Sequence, residues 1–156
     1  MTYFAACHTL EQLKKEYRRL AMQYHPDRGG DLRIMQAINA DYDKAFQALK
    51  NAHNANPKAK PINETPEEFR VAISKIINLP GLVIELCGSW VWVSGETMTH
   101  REALKAAGYR WAPKKRMWYW RSDKDASHSR KTQSMDYIRE KYGSEILTTD
   151  RERLTA

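Results

Sequence analysis

Cysteine is nearly absent from this sequence. Only Cys7 and Cys87 occur in 156 residues, eighty positions apart. They make no disulfide framework, and a reducing, cytoplasmic setting is expected. No Cys/His grouping has zinc spacing, and neither a P-loop (GxxxxGK followed by Ser or Thr) nor a GxGxxG fingerprint occurs. No metal and no cofactor is therefore expected. Long apolar runs are missing too: none approaches the ~20 residues of a membrane helix, so no membrane partner is expected. Met1-Thr2-Tyr3-Phe4 lacks a basic stretch followed by an apolar one, so no secretion signal is expected. What remains is a small, soluble, basic protein, 42% hydrophobic and 29% charged, of one domain or two small ones.

The net charge of +7 is unevenly spread. Residues 1–60 carry ten Lys/Arg against six Asp/Glu. Residues 61–99 hold two cations, Arg70 and Lys75, against five acids. Residues 100–131 reverse this, with ten Lys/Arg against Glu102, Asp123 and Asp125. All five tryptophans fall between Trp90 and Trp120, so one segment is both basic and aromatic.

Leu10 to Tyr24 reads as a helix, because Leu10, Leu13, Tyr17, Leu20, Ala21 and Tyr24 share one arc at ~100° per residue. Thr9 and Gln12 form a capping box at its start. Pro26 ends it by disfavouring helical geometry in the residue before. Asp31 is the N-cap of a second helix to about Lys50, with Ile34, Met35, Ile38, Tyr42, Ala45, Phe46 and Leu49 on one face. Two such helices across a short loop should pack antiparallel.

Asn51 to Asn63, polar and broken by Pro57 and Pro61, reads as a linker. Thr65-Pro66-Glu67-Glu68 then opens a helix to about Asn78. Leu82–Cys87 and Trp90–Val93 read as a hairpin around Gly88-Ser89, pairing Ile84 with Val93 and Glu85 with Trp92. A short helix from Thr99 to Ala107, a second hairpin with a basic turn (Trp111 to Trp120) and a last helix (Ser134 to Tyr142) complete the chain.

His25-Pro26-Asp27 lies between the first two helices. The run from Tyr17 through His25-Pro26-Asp27-Arg28-Gly29-Gly30-Asp31, followed by Ile38-Asn39 and by Tyr42 and Phe46, resembles the J-domain of DnaJ-type co-chaperones over about residues 2–50. The resemblance implies docking on a DnaK-type seventy-kilodalton heat-shock chaperone and stimulation of its ATP hydrolysis. The implied partner surface is Lys14, Lys15, Arg18, Arg19 and Met22 beside the apolar stripe, with His25, Pro26, Asp27 and Arg28 in the loop. Such cations would steer onto an acidic partner, and the proline presents the loop with little ordering cost. It further implies that Asp27 perturbs a charge network between the chaperone's nucleotide domain and its linker. Catalysis is not expected: nothing near His25 and Asp27 in the sequence offers a nucleophile or an oxyanion site. Unlike the larger family members, this chain has almost no first helix, so Tyr3-Phe4-Ala5-Ala6 must supply its packing. No Gly/Phe-rich, zinc or client-binding β module follows. It therefore resembles the minimal class, in which an appended domain chooses the client.

The expected fold is α+β in two small domains. A J-domain-like antiparallel helix pair (1–50) and a linker (51–63) precede a small antiparallel sheet with helices on one face (64–145) and a polar tail (146–156). The pattern Gly108-Tyr109-Arg110-Trp111-x-Pro113-Lys114-x-x-x-Trp118 is similar to small modules of helicases and mobile-element proteins. With the aliphatic hairpin face turned to the helices, Trp90 and Trp92 would lie on the open face, edged by Arg110, Lys114, Lys115, Arg116 and Arg121. Three readings stay open for this segment: a second aromatic core, a client contact, or a platform for single-stranded nucleic acid, where bases stack and phosphates meet cations. The last would make the chain a nucleic-acid-binding regulator instead of a co-chaperone.

Overall fold

The computed structural model describes residues 3–87, 90–122, 135–142 and 145–148. Helix α1 spans Leu10–Tyr24. Thr9 Oγ1 accepts from the Gln12 amide (3.1 Å), and the Gln12 side chain accepts from the His8 amide (2.8 Å). Helix α2 spans Leu32–Asn54 and starts on Asp31, whose carboxylate accepts from the Arg33 and Ile34 amides. It runs four residues past its expected end, because no proline interrupts it before Pro57.

After the loop, α3 covers Pro66–Ser74, with Glu68 accepting from the Thr65 amide at 2.6 Å. The residues expected to extend it to Asn78 form tight turns instead, such as Ile76 N–H to Ile73 O. Strands β1 (Leu82–Cys87) and β2 (Trp90–Gly95) pair in the expected register, Ile84 opposite Val93 and Glu85 opposite Trp92. Their turn, Gly88-Ser89, lies outside the described residues, as does Ser134 at the expected start of the last helix. Helix α4 (Arg101–Ala106) is capped at His100, one residue after its expected start at Thr99, and the His100 ring meets the Pro80 carbonyl at 2.9 Å. Strands β3 (Arg110–Ala112) and β4 (Met117–Trp120), helix α5 (Met135–Tyr142) and β5 (Glu145–Thr148) follow. The fold is α+β: an antiparallel helix pair and an antiparallel sheet in the order β3-β4-β2-β1-β5. The fifth strand begins at the last residue before the expected polar tail and runs into it.

One apolar core joins the helix pair to the sheet. Tyr17 of α1 and Tyr42 of α2 pack on each other (4.6 Å between centroids), and both meet Phe69 of α3 at 6.1 Å. Phe69 in turn meets Trp120 of β4. Below it, Ile84, Leu86, Val91, Val93 and Trp118 of the sheet close the same cluster. Phe4 covers Tyr42 from the N-terminal side (6.0 Å), whereas Ala5 and Ala6 are exposed. Phe69 thus supplies packing that Tyr3–Ala6 alone were expected to give. The other sheet face carries a smaller cluster of Cys87, Trp92 and Met117, with Met135 and Ile138 of α5 against it.

Candidate functional site

The loop after α1 is built by its proline and glycines. Pro26 forces His25 out of helical geometry (φ −64°, ψ 133°), and Pro26–Arg28 make one 3₁₀ turn. The His25 carbonyl accepts from the amides of both Arg28 (2.9 Å) and Gly30 (3.0 Å). Gly29 sits at φ 83°, and a Cβ at Gly30 would collide with the Tyr24 carbonyl, so the way back into α2 needs both glycines.

The two ring nitrogens of His25 are both engaged. Nδ1 accepts from the Asp27 amide at 3.1 Å, and Nε2 lies 3.1 Å from Ser74 Oγ at the end of α3. With Nδ1 an acceptor, the neutral ring carries its proton on Nε2 and donates it to Ser74. The His25 side chain is only 14% exposed, while Asp27, its carboxylate 3.7 Å from Nδ1, is 52% exposed. Burial pushes the His25 ring below its ordinary pKa; Asp27 opposes this and Arg28 adds to it. Arg28 braces the loop from the other side, donating to the Met22 carbonyl (3.2 Å) and to the Ile77 carbonyl beyond α3 (2.7 Å).

The expected basic partner face of α1 is divided by the fold. Lys14 is 1% exposed and Arg18 0%; Met22 is also buried. These residues are spaced four apart, so they form one row that faces α3 and the sheet. Lys14 Nζ lies 2.8 Å from both Glu64 oxygens and over the rings of Phe69 and Trp120. Arg18 donates to the Ile84 carbonyl at 3.0 Å. The partner role expected of these three is therefore corrected: a distant carboxylate and a strand carbonyl draw the two cations inside. Lys15 is half-buried and Arg19 exposed, paired within the helix to Glu11 (3.3 Å) and Glu16 (2.7 Å) respectively. Pro26 and Asp27 are exposed.

Of the three readings left open for the tryptophan segment, Trp92 fits the second aromatic core, and the open platform loses its central ring. Trp92 is 3% exposed. It packs with Trp90 (5.6 Å) and Tyr119 (5.4 Å), Lys115 Nζ lies over its ring, and Arg121 lies over Trp90. Beneath α5, Glu85 is buried and takes two hydrogen bonds from Arg139, at 2.7 and 3.0 Å. Trp90 and Tyr119 are half-buried, while Arg110, Lys114 and Arg116 remain exposed around the turn. Burial, with Lys114 alongside, lowers the Lys115 pKa.

Sequence reasoning missed Glu64, Ser74 and the Ile77 carbonyl. Glu64 is one acid ahead of a helix cap, and a carbonyl has no sequence signature at all. Ser74 closes α3 with nothing to mark it. Among the described residues no cluster of His, Cys, Asp and Glu could hold a metal ion, and no helix is long and apolar enough to cross a membrane.

Residues 5–55 match the family model of the DnaJ domain. A stretch of 43 residues, 28% of this chain, is 42% identical to the chaperone protein DnaJ of Chlorobium phaeobacteroides and covers 11% of it. A stretch of 65 residues, 42% of this chain, is 35% identical to the small t antigen of Simian virus 12 and covers 38% of it. The chain thus spans well under half the length of these curated relatives. No solved structure matches it significantly.

Proposed function

Since the chain carries a J-domain at residues 5–55, we propose that it is a co-chaperone: it docks on a DnaK-type seventy-kilodalton heat-shock chaperone and stimulates ATP hydrolysis there. The observation that carries this reading is the loop's geometry. His25 and Arg28 are tied into the fold while Pro26 and Asp27 face solvent. A loop held this way meets a partner without first being ordered, which favours binding. Docking uses Pro26 and Asp27 at the centre with Lys15 and Arg19 at the rim. Lys14, Arg18 and Met22 hold the fold instead. The protein contributes binding energy and no chemistry of its own, in a reducing cytoplasm. Its C-terminal part selects the client, offering an acidic surface the exposed cations Arg110, Lys114 and Arg116. Single-stranded nucleic acid fits less well, because Lys115 and Arg121 already lie over the Trp92 and Trp90 rings.

Steady-state ATPase of a DnaK-type chaperone, with and without the full chain, tests this. Wild type stimulates; Asp27→Asn does not, with an unchanged melting temperature, because the Asp27 side chain holds no part of the core. Equal stimulation by Asp27→Asn removes the reading.

A further inference from the structure

We propose that Ser74 is a positioning residue for His25: through one hydrogen bond, the part of the chain beyond the J-domain sets the orientation in which the His-Pro-Asp loop is presented. This rests on the co-chaperone reading and extends it to a residue nineteen positions past the end of the J-domain match.

Three observations converge on it. First, the His25 ring is held at both nitrogens by different parts of the chain, Nδ1 from within the loop and Nε2 from α3. The inner bond sets the tautomer. The outer one fixes the ring's rotation about its last side-chain bond, since an imidazole with one partner still swings about that contact. Second, the same stretch of chain grips the loop again three residues on, where the Ile77 carbonyl accepts from Arg28. The two contacts bracket the loop, so α3 and the turn after it act as a rigid backing. Third, that backing cannot drift. Phe69 and Ile73 of α3 are fully buried in the core shared with Tyr17 and Tyr42, and Arg70 makes two hydrogen bonds, of 2.7 and 3.0 Å, to Asp43 of α2. Ser74 is therefore presented from a fixed element to a half-buried ring. A short hydroxyl reaches the ring there, whereas alanine leaves Nε2–H without an acceptor.

The consequence is a division of labour. The exposed Asp27 meets the partner, while Ser74 keeps the loop in the competent geometry. When only a fraction of molecules hold that geometry, the concentration needed for binding rises by the inverse of that fraction, while the bound complex is unchanged. Losing Ser74 should thus raise the half-maximal concentration and leave the plateau alone.

The experiment uses the full chain as wild type, Ser74→Ala and Ser74→Thr. The His25 imidazole is followed by nitrogen-15 NMR without any chaperone, and stimulation of a DnaK-type ATPase is titrated in parallel. In wild type the Nε2 proton is detected and exchanges slowly; in Ser74→Ala it exchanges with solvent and the signal is lost; Ser74→Thr restores it. In the titration, Ser74→Ala raises the half-maximal concentration about fivefold, as expected for one hydrogen bond, at an unchanged plateau and with no more than the ~2–4 °C melting loss that one hydrogen bond brings, and Ser74→Thr recovers wild-type behaviour. A Ser74→Ala variant with the wild-type ring signal and the wild-type titration overturns the proposal. A fall in plateau together with melting temperature assigns Ser74 a merely structural role and overturns it too. Absence of stimulation by wild type, with the ring signal behaving as expected, removes the co-chaperone reading and leaves the positioning of His25 by Ser74 standing.

Discussion

Lys14 and Glu64 form an ion pair in the interior: the ammonium lies 2.8 Å from the carboxylate, and the two side chains are 2% and 5% exposed. The pair joins α1 to the segment ahead of α3, and the same ammonium sits over Phe69 at 5.1 Å. A buried charge is tolerable only with its partner in place.

Removing one partner should therefore be far worse than removing both. Lys14→Met or Glu64→Leu alone should each cost about 3–5 kcal/mol, while the double replacement should fall within about 1 kcal/mol of wild type or exceed it. Urea unfolding of the four proteins measures this. Additive losses would mean that the two charges do not depend on each other.

A fragment of residues 1–60 lacks Glu64, Phe69 and Ile84, which cover Lys14, Tyr17 and Arg18 in the whole chain. Two helices bury little area. The fragment should keep partial helicity by circular dichroism but melt without a cooperative transition, unlike the full chain. A sharp melt near the parent's temperature would show that the helix pair needs nothing beyond residue 60.

Trp92 packs between Trp90, Tyr119 and Lys115 on the sheet's outer face. Trp92→Ala should cost about 3–5 kcal/mol of stability. Thermal melting checks this, and a loss under 1 kcal/mol would return the residue to an open surface role.

His25 makes stability depend on pH in a definite direction. Its folded pKa is lowered, chiefly by burial. The unfolded chain, with a histidine near its ordinary ~6.5, therefore binds more protons just below that value. The contribution is present above about pH 6.5 and is lost as pH falls toward the folded value. Between about pH 5 and 7, the urea midpoint of wild type should fall more steeply on acidification than that of His25→Gln. Parallel curves would contradict a depressed histidine.

The local architecture was legible in the residues because its causes are local. Thr9 and Asp31 cap the helices they were expected to cap, and Pro26 stops α1 where ring sterics demand. Alternation around residues 88–89 places Ile84 opposite Val93, because a strand's side chains repeat every two residues. The His-Pro-Asp loop stood out for the same reason: its residues are contiguous.

What tertiary structure alone settled concerns partners far along the chain. Lys14, Arg18 and Met22 flank an apolar stripe, and charge patterning assigns such a row to solvent. Whether it is buried depends on a carboxylate fifty residues away and a strand carbonyl sixty-six residues away. The same holds for Trp92, whose burial depends on Tyr119 across the sheet, and for His25, whose second nitrogen waits on Ser74. Periodicity reveals that a helix has an apolar face. It does not reveal how wide an arc the rest of the chain will cover, because that arc is fixed by which distant groups satisfy the polar atoms carried inside.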